Sequence, residues 1–250
     1  MLKPMIIAFS MYSRIPMPKT DWDEKSMKYA ICYFPLIGLV IGAAVYTASF
    51  LLSQIGVGST LVGCVLTVLP IIITGGIHMD GFIDTSDALS SNQDKQKRLE
   101  IMKDPHIGAF AVIRAAVYFI MSVGLYSELD AGTLKIFCIG FILSRALSGI
   151  SVITFPKAKN TGLAVLWSGM TDKKIAFAVL AAEAAICCVA MILLDFCTEI
   201  IILIFTAIIY LYHYRNCTKN FGGITGDLAG YFLQLAELFM LAAAVIGGKI

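Results

Sequence analysis

The chain has 250 residues, 58% of them hydrophobic and 14% charged, with a net charge of +2 and a mean hydropathy of +0.83. Soluble domains carry roughly 25% charged residues, so this apolar excess cannot be buried in a soluble fold, and disorder is excluded as well. A small net charge with no Lys/Arg stripe also argues against a nucleic-acid partner and leaves the lipid bilayer as the expected one.

Residues 1–13 are too short to span a membrane and lack a small-residue cleavage site, so a removed signal peptide is not expected. Seven later stretches approach the ~20 apolar residues of a spanning helix: 28–53, 61–77, 109–126, 134–153, 175–194, 197–214 and 227–247. The predicted fold is an all-α polytopic membrane bundle of about seven transmembrane helices, forming one catalytic domain over 1–250. An N-terminal arm covers 1–27 and an acidic loop covers 78–108. The second span is short and is expected to run on into the polar segment after it. The seven cysteines form no C-x-x-C pair and lie mostly in apolar runs, where they act as small hydrophobes. Lys and Arg gather in the N-terminal stretch and in loops 78–108, 154–174 and 215–226, and the alternate loops have none. The positive-inside rule therefore predicts a cytoplasmic N-terminus, a multi-pass protein of the cell membrane and an active site facing the cytoplasm.

The densest chemistry lies between Gly75 and Val112. Asp80, Asp84 and Asp87 stand at i, i+4 and i+7, on one face of a helix. Glu100 and Asp104 repeat the i, i+4 spacing, although Pro105 pushes Asp104 toward a helix end. Two facing carboxylate segments make an all-oxygen site for Mg²⁺ or Mn²⁺, and Mg²⁺ held this way keeps places for substrate phosphates. Gly75, Gly76, Gly81 and Gly108 permit close approach of backbone and ligand. His78 and His106 suit acid/base work or a phosphate contact, or simple capping.

Before the last span, Gly222, Gly223 and Gly226 mark a tight turn. Thr225 or Asp227 there can cap the next helix, whose free N–H groups suit an anion. Arg14, ahead of two prolines in an extended arm, suits a phosphate contact. Arg145 lies inside an apolar run, where a charge faces the bundle interior or a wet cavity; Glu183 and Glu237 are at comparable depth and suit pairing with it.

GGIHMDGFIDTSDAL, LEIMKDPHIGAF, SRIPMP and GGITGDLAG together resemble the cobalamin synthase family, the adenosylcobinamide-GDP ribazoletransferases. The resemblance covers essentially the whole chain. It implies transfer of cobinamide phosphate from adenosylcobinamide-GDP to α-ribazole or its 5′-phosphate, with release of GMP and a requirement for Mg²⁺. Carried onto this sequence, it implies Asp80, Asp84, Glu100 and Asp104 as metal ligands and Asp87 as general base, with Asp84 as fallback. Arg14, Arg145 and Lys103 would brace phosphates or the leaving group, Arg145 as a catalytic group. His78, Gly81, Gly108, Gly222, Gly223, Thr225 and Asp227 would contact substrate. The chain departs from the family pattern at Gln234, where an acid is expected. A homo-oligomer stays open. Two other readings are a CDP-alcohol phosphatidyltransferase, whose acidic motif works by the same logic, and a cation transporter using the acids as ion ligands.

Overall fold

The computed structural model describes residues 2–158 and 169–250; Lys159 and the rest of 159–168, within the loop 154–174, fall outside these. The described residues form helices α1 (Leu2–Tyr12), α2 (Glu24–Ala30), α3 (Phe34–Gln54), α4 (Ser59–Thr74), α5 (Ile77–Ser90) and α6 (Lys95–Ile101), followed by α7 (Ala109–Glu128), α8 (Ala131–Thr154), α9 (Lys173–Leu194), α10 (Phe196–Asn216) and α11 (Gly226–Gly247). No strand occurs among them beyond one isolated bridge, Lys157 to Ile224. Among the described residues six helical segments are long and apolar enough to cross a membrane: 24–54, 109–128, 131–154, 173–194, 196–221 and 226–247. The first begins earlier than the expected 28, because a 3₁₀ turn at Ile31–Tyr33 joins α2 to α3 without a break. The N-terminal arm is itself partly helical, and α1 buries Ile7, Ala8 and Phe9 against the bundle.

The second expected span is broken. α4 and α5 pass as a span only together, and they meet at 98°. Gly75 and Gly76 sit at φ 68° and 80°, a conformation open to glycine, and the α4 chain turns there instead of continuing. We read α4 as the membrane-crossing limb and α5 as lying across the end of the bundle, outside the spans.

Membrane helices gain little from burying oily surface against one another, so close backbone packing carries the association. Gly38 and Gly42, one turn apart on α3, provide it: a Cβ at Gly38 would sit 2.6 Å from the Phe141 carbonyl carbon, and one at Gly42 would run into the Cys138 carbonyl oxygen on α8. Around this seam Ile37, Ile41, Phe137, Phe141, Phe232 and Met240 form the main core.

Candidate active site

Three local devices bring the polar residues to one end of the bundle. The first pins the arm: the Arg14 N–H donates to the Ile73 carbonyl at 2.8 Å, and the Arg14 side chain lies over Gly75, where a Cβ would meet it at 2.5 Å. The second builds the start of α11. A π-helical turn at Cys217–Phe221 ends α10, Gly222 follows at φ 77°, and Thr225 Oγ1 accepts the Leu228 N–H at 3.2 Å as N-cap. The turn is tied to the chain leaving α8, since Ile224 N–H donates to the Pro156 carbonyl at 2.7 Å and Ala158 N–H to the Ile224 carbonyl at 3.2 Å. A Cβ on Gly223 would fall on the backbone of Lys157 and Ala158, so close approach is what requires glycine there.

The third device is the crossing of α5 and α11. A Cβ at Gly81 would lie 2.9 Å from Asp227 Cα, and one at Gly230 would lie 3.2 Å from His78 Cα. This contact sets the aspartate face of α5 beside Asp227. Burial raises the Asp84 pKa first, and the nearby Asp80, Asp227 and Asp87 carboxylates raise it further, to about 6. No ion pair reaches Asp80, Asp84 or Asp87 among the described residues.

The second acidic segment does not face the first in the expected way. The helix α6 ends at Ile101, and Glu100 points to the surface, 3.2 Å from Lys97 Nζ. Asp104 lies beyond the helix and holds His106: its Oδ1 accepts the His106 backbone N–H at 3.0 Å and lies 2.7 Å from Nδ1, and these hydrogen bonds, the backbone one first, lower its pKa. Pro105 and the early helix end remove the i, i+4 register that would have aligned Glu100 with Asp104. Asp87 turns toward this side: it shares a surface cleft with Asp104 and His106, and its Oδ2 accepts the Gly108 N–H at 3.3 Å, at the start of α7. Lys103 is exposed. Among the described residues the carboxylate from outside α5 that acts on Asp84 is Asp227.

Arg145 is 1% exposed, and its Nη1 lies 2.6 Å from Glu237 Oε1 and 2.9 Å from the Phe141 carbonyl. Of the two candidate partners Glu237 is the one engaged, while Glu183 lies in a lateral groove with Lys3, Lys25 and Cys32. Arg145 is not among the residues lining the cavity next to the acidic face. That cavity, about 130 Å³, lies between α1, α3, α5, α8 and α11 and is bordered by Tyr12, Phe34, His78, Asp80, Ser148 and Asp227. Tyr12, Phe34 and Ser148 carry no spacing signal in the sequence; only the packing of three separate helices gathers them.

Among the described residues no three His, Cys, Asp or Glu side chains converge closely enough to hold a metal unaided. Mg²⁺ does not require that, because it is commonly bound by one or two carboxylates together with water and substrate phosphates. A carboxylate donor set in which burial and then Asp80, Asp227 and Asp87 raise the Asp84 pKa suits such a hard cation.

The cobalamin-5-phosphate synthase family matches residues 4–245, from the arm to the last helix. The chain belongs to this family. It is 44% identical to an adenosylcobinamide-GDP ribazoletransferase of Lachnoclostridium phytofermentans over 98% of this chain and 94% of that one. Proteins of the same name from Clostridium perfringens and Treponema denticola are each 32% identical, over 94% of both chains and 97% of both chains respectively. No solved structure matches. Membership extends through the broken α4–α5 pair, the Gly222–Asp227 turn and the Arg145–Glu237 pair alike.

Proposed function

We propose that this chain transfers the cobinamide-phosphate group of adenosylcobinamide-GDP to α-ribazole or its 5′-phosphate, giving adenosylcobalamin or its 5′-phosphate and GMP. The observation that carries this reading is the turned helix α5, which lays an aspartate face against Asp227 at the mouth of a small cavity. The site faces the cytoplasm of the cell membrane, on the side where the Lys- and Arg-rich loops gather.

Mg²⁺, or Mn²⁺ in its place, is the cation that this donor set suits; when bound it neutralises charge on the diphosphate and on the departing GMP. Asp80 and Asp227, both lining the cavity, would hold it. Asp84, raised toward neutrality between them, takes the proton of the ribazole 3′-hydroxyl. The hydroxyl oxygen bonds to the phosphorus nearest cobinamide as the bond from that phosphorus to the GMP oxygen breaks. Asp84 replaces Asp87 as the base because one Asp87 oxygen is engaged by Gly108 and Asp227 is not among the residues lining its cleft. The N–H groups at the start of α11 and the Arg14 guanidinium contact phosphate oxygens.

The test is release of labelled GMP from adenosylcobinamide-GDP by the purified protein with α-ribazole and Mg²⁺. A phosphatidyltransferase would instead release CMP from a CDP-alcohol, and a transporter would move cations into liposomes without releasing nucleotide. Asp80→Asn and Asp227→Asn are expected to raise the Mg²⁺ concentration for half-maximal rate at least tenfold, consistent with loss of one anionic ligand. An unchanged Mg²⁺ curve in both variants removes them as ligands.

A further inference from the structure

The cavity beside the acidic face has features that the transfer chemistry alone does not use. It is about 130 Å³ in volume, close to the ~150 Å³ of an apolar cavity known to take up benzene. That volume admits one small aromatic ring system and excludes a corrinoid. Its walls are Tyr12, Ile31, Phe34, Val152 and Leu233, with the Tyr12 and Phe34 ring centroids 4.6 Å apart and the His78 ring 5.8 Å from Phe34. Two of its lining residues are polar and almost fully buried, His78 at 4% and Ser148 at 1% exposure. Among the described residues neither His78 Nε2 nor Ser148 Oγ has a hydrogen-bond partner. Buried polar atoms are paired in the large majority of cases, so two orphans on the wall of one cavity call for an occupant that presents a polar atom inside an otherwise apolar outline.

We infer that this cavity seats the base of the acceptor nucleoside, with Ser148 and His78 recognising the unsubstituted ring nitrogen of a benzimidazole. The inference rests on the ribazole transfer proposed above and adds to it which part of which substrate lies where. A benzimidazole joined to ribose through one nitrogen has a single hydrogen-bonding atom left on the ring, an acceptor, and no N–H. A hydroxyl and an imidazole N–H satisfy it, and the remaining walls need only be apolar. Guanine, the base of the donor, carries several donors and acceptors that these walls would leave unpaired. The geometry also fits the chemistry at the mouth, where Asp80 and Asp227 border the cavity and Asp84 lies beside them. A base inside places its ribose among those carboxylates.

The experiment compares α-ribazole with its indole counterpart, in which CH replaces the free ring nitrogen, as acceptors for wild type, Ser148→Ala and Val152→Trp. Wild type is expected to favour α-ribazole about tenfold in kcat/KM, the worth of a buried hydrogen bond whose loss leaves its partner unpaired. Ser148→Ala should reduce that preference to about threefold or less, chiefly through the acceptor KM. Val152→Trp fills the cavity and should raise the KM of both acceptors more than tenfold while the KM of adenosylcobinamide-GDP stays within twofold. If the tryptophan variant fails to fold, Val152→Phe serves, and Ser148→Ala alone still decides the hydrogen bond. Equal use of both acceptors by wild type overturns the inference. So does a filled cavity that weakens donor and acceptor alike, or one whose effect vanishes when long-chain lipid is replaced by short-chain detergent, which would mark an acyl-chain site. These outcomes leave GMP release by wild type intact; absence of that release with any acceptor overturns the transfer reaction itself, and this inference with it.

Discussion

Asp84→Asn is expected to lower turnover by about 10² to 10⁴-fold, the usual worth of a positioned general base. The wild-type enzyme should lose kcat/KM as pH falls through about 6, because burial first, and then Asp80, Asp227 and Asp87, hold the Asp84 carboxyl at that value. The asparagine variant should show no such limb. The sign for stability runs the other way. A carboxyl raised in the folded state binds a proton there before it does in the unfolded chain, so its contribution is present below its ordinary value and is lost as pH rises through about 6. At pH 7 to 8 the variant, which removes one of several mutually repelling carboxylates, is expected to unfold no earlier than wild type. Activity and stability thus part company, which separates a chemical role from a structural one. Turnover within tenfold of wild type, or a pH limb unchanged in the variant, would falsify the base assignment. Asp87→Asn offers the contrast, since its carboxylate engages the Gly108 N–H and its loss should act mainly on the start of α7.

How much of this was legible beforehand differs by type of residue. The spans were legible because lipid sets their length, so runs such as 134–153 and 227–247 correspond closely to Ala131–Thr154 and Gly226–Gly247. The aspartate helix was legible as well, because i, i+4 and i+7 define a face wherever the helix lies. What faces it was not. Spacing within 95–108 suggested Glu100 and Asp104, yet Lys97 and His106 occupy those carboxylates locally. Asp227, 140 residues from Asp87 along the chain, comes to α5 only because Gly81 and Gly230 let two helices touch. Gly81 reads in the sequence as a place for close approach, and the close partner among the described residues is the backbone of α11. The aromatic wall of the cavity was invisible for the same reason: Tyr12 and Phe34 read as ordinary apolar residues until α1 folds back across the start of α3.

The Arg145–Glu237 pair turns the same packing argument into the largest expected stability effect. Both side chains are nearly inaccessible, 1% and 7% exposed, and Glu237 also accepts a hydrogen bond from Ser144 Oγ at 2.9 Å. Removing one member leaves a desolvated charge beside apolar neighbours, so Glu237→Leu or Arg145→Met alone should cost about 3–5 kcal/mol. For a chain of this length that lowers the unfolding temperature by on the order of 10 °C. The double variant Arg145→Met/Glu237→Leu removes both charges and should recover most of the loss, because a buried pair replaced by apolar side chains of similar volume is often neutral. Labelled GMP release then divides the two roles open to Arg145. As a positioning residue, it fixes α8 against α11 behind the cavity, and the stable double variant regains transfer along with its fold. If Arg145 instead braces the leaving phosphate, the double variant regains its unfolding temperature and stays inactive. Failure of the double variant to regain stability would show that the charges specify the packing of α8 on α11 in a way matching volume cannot replace.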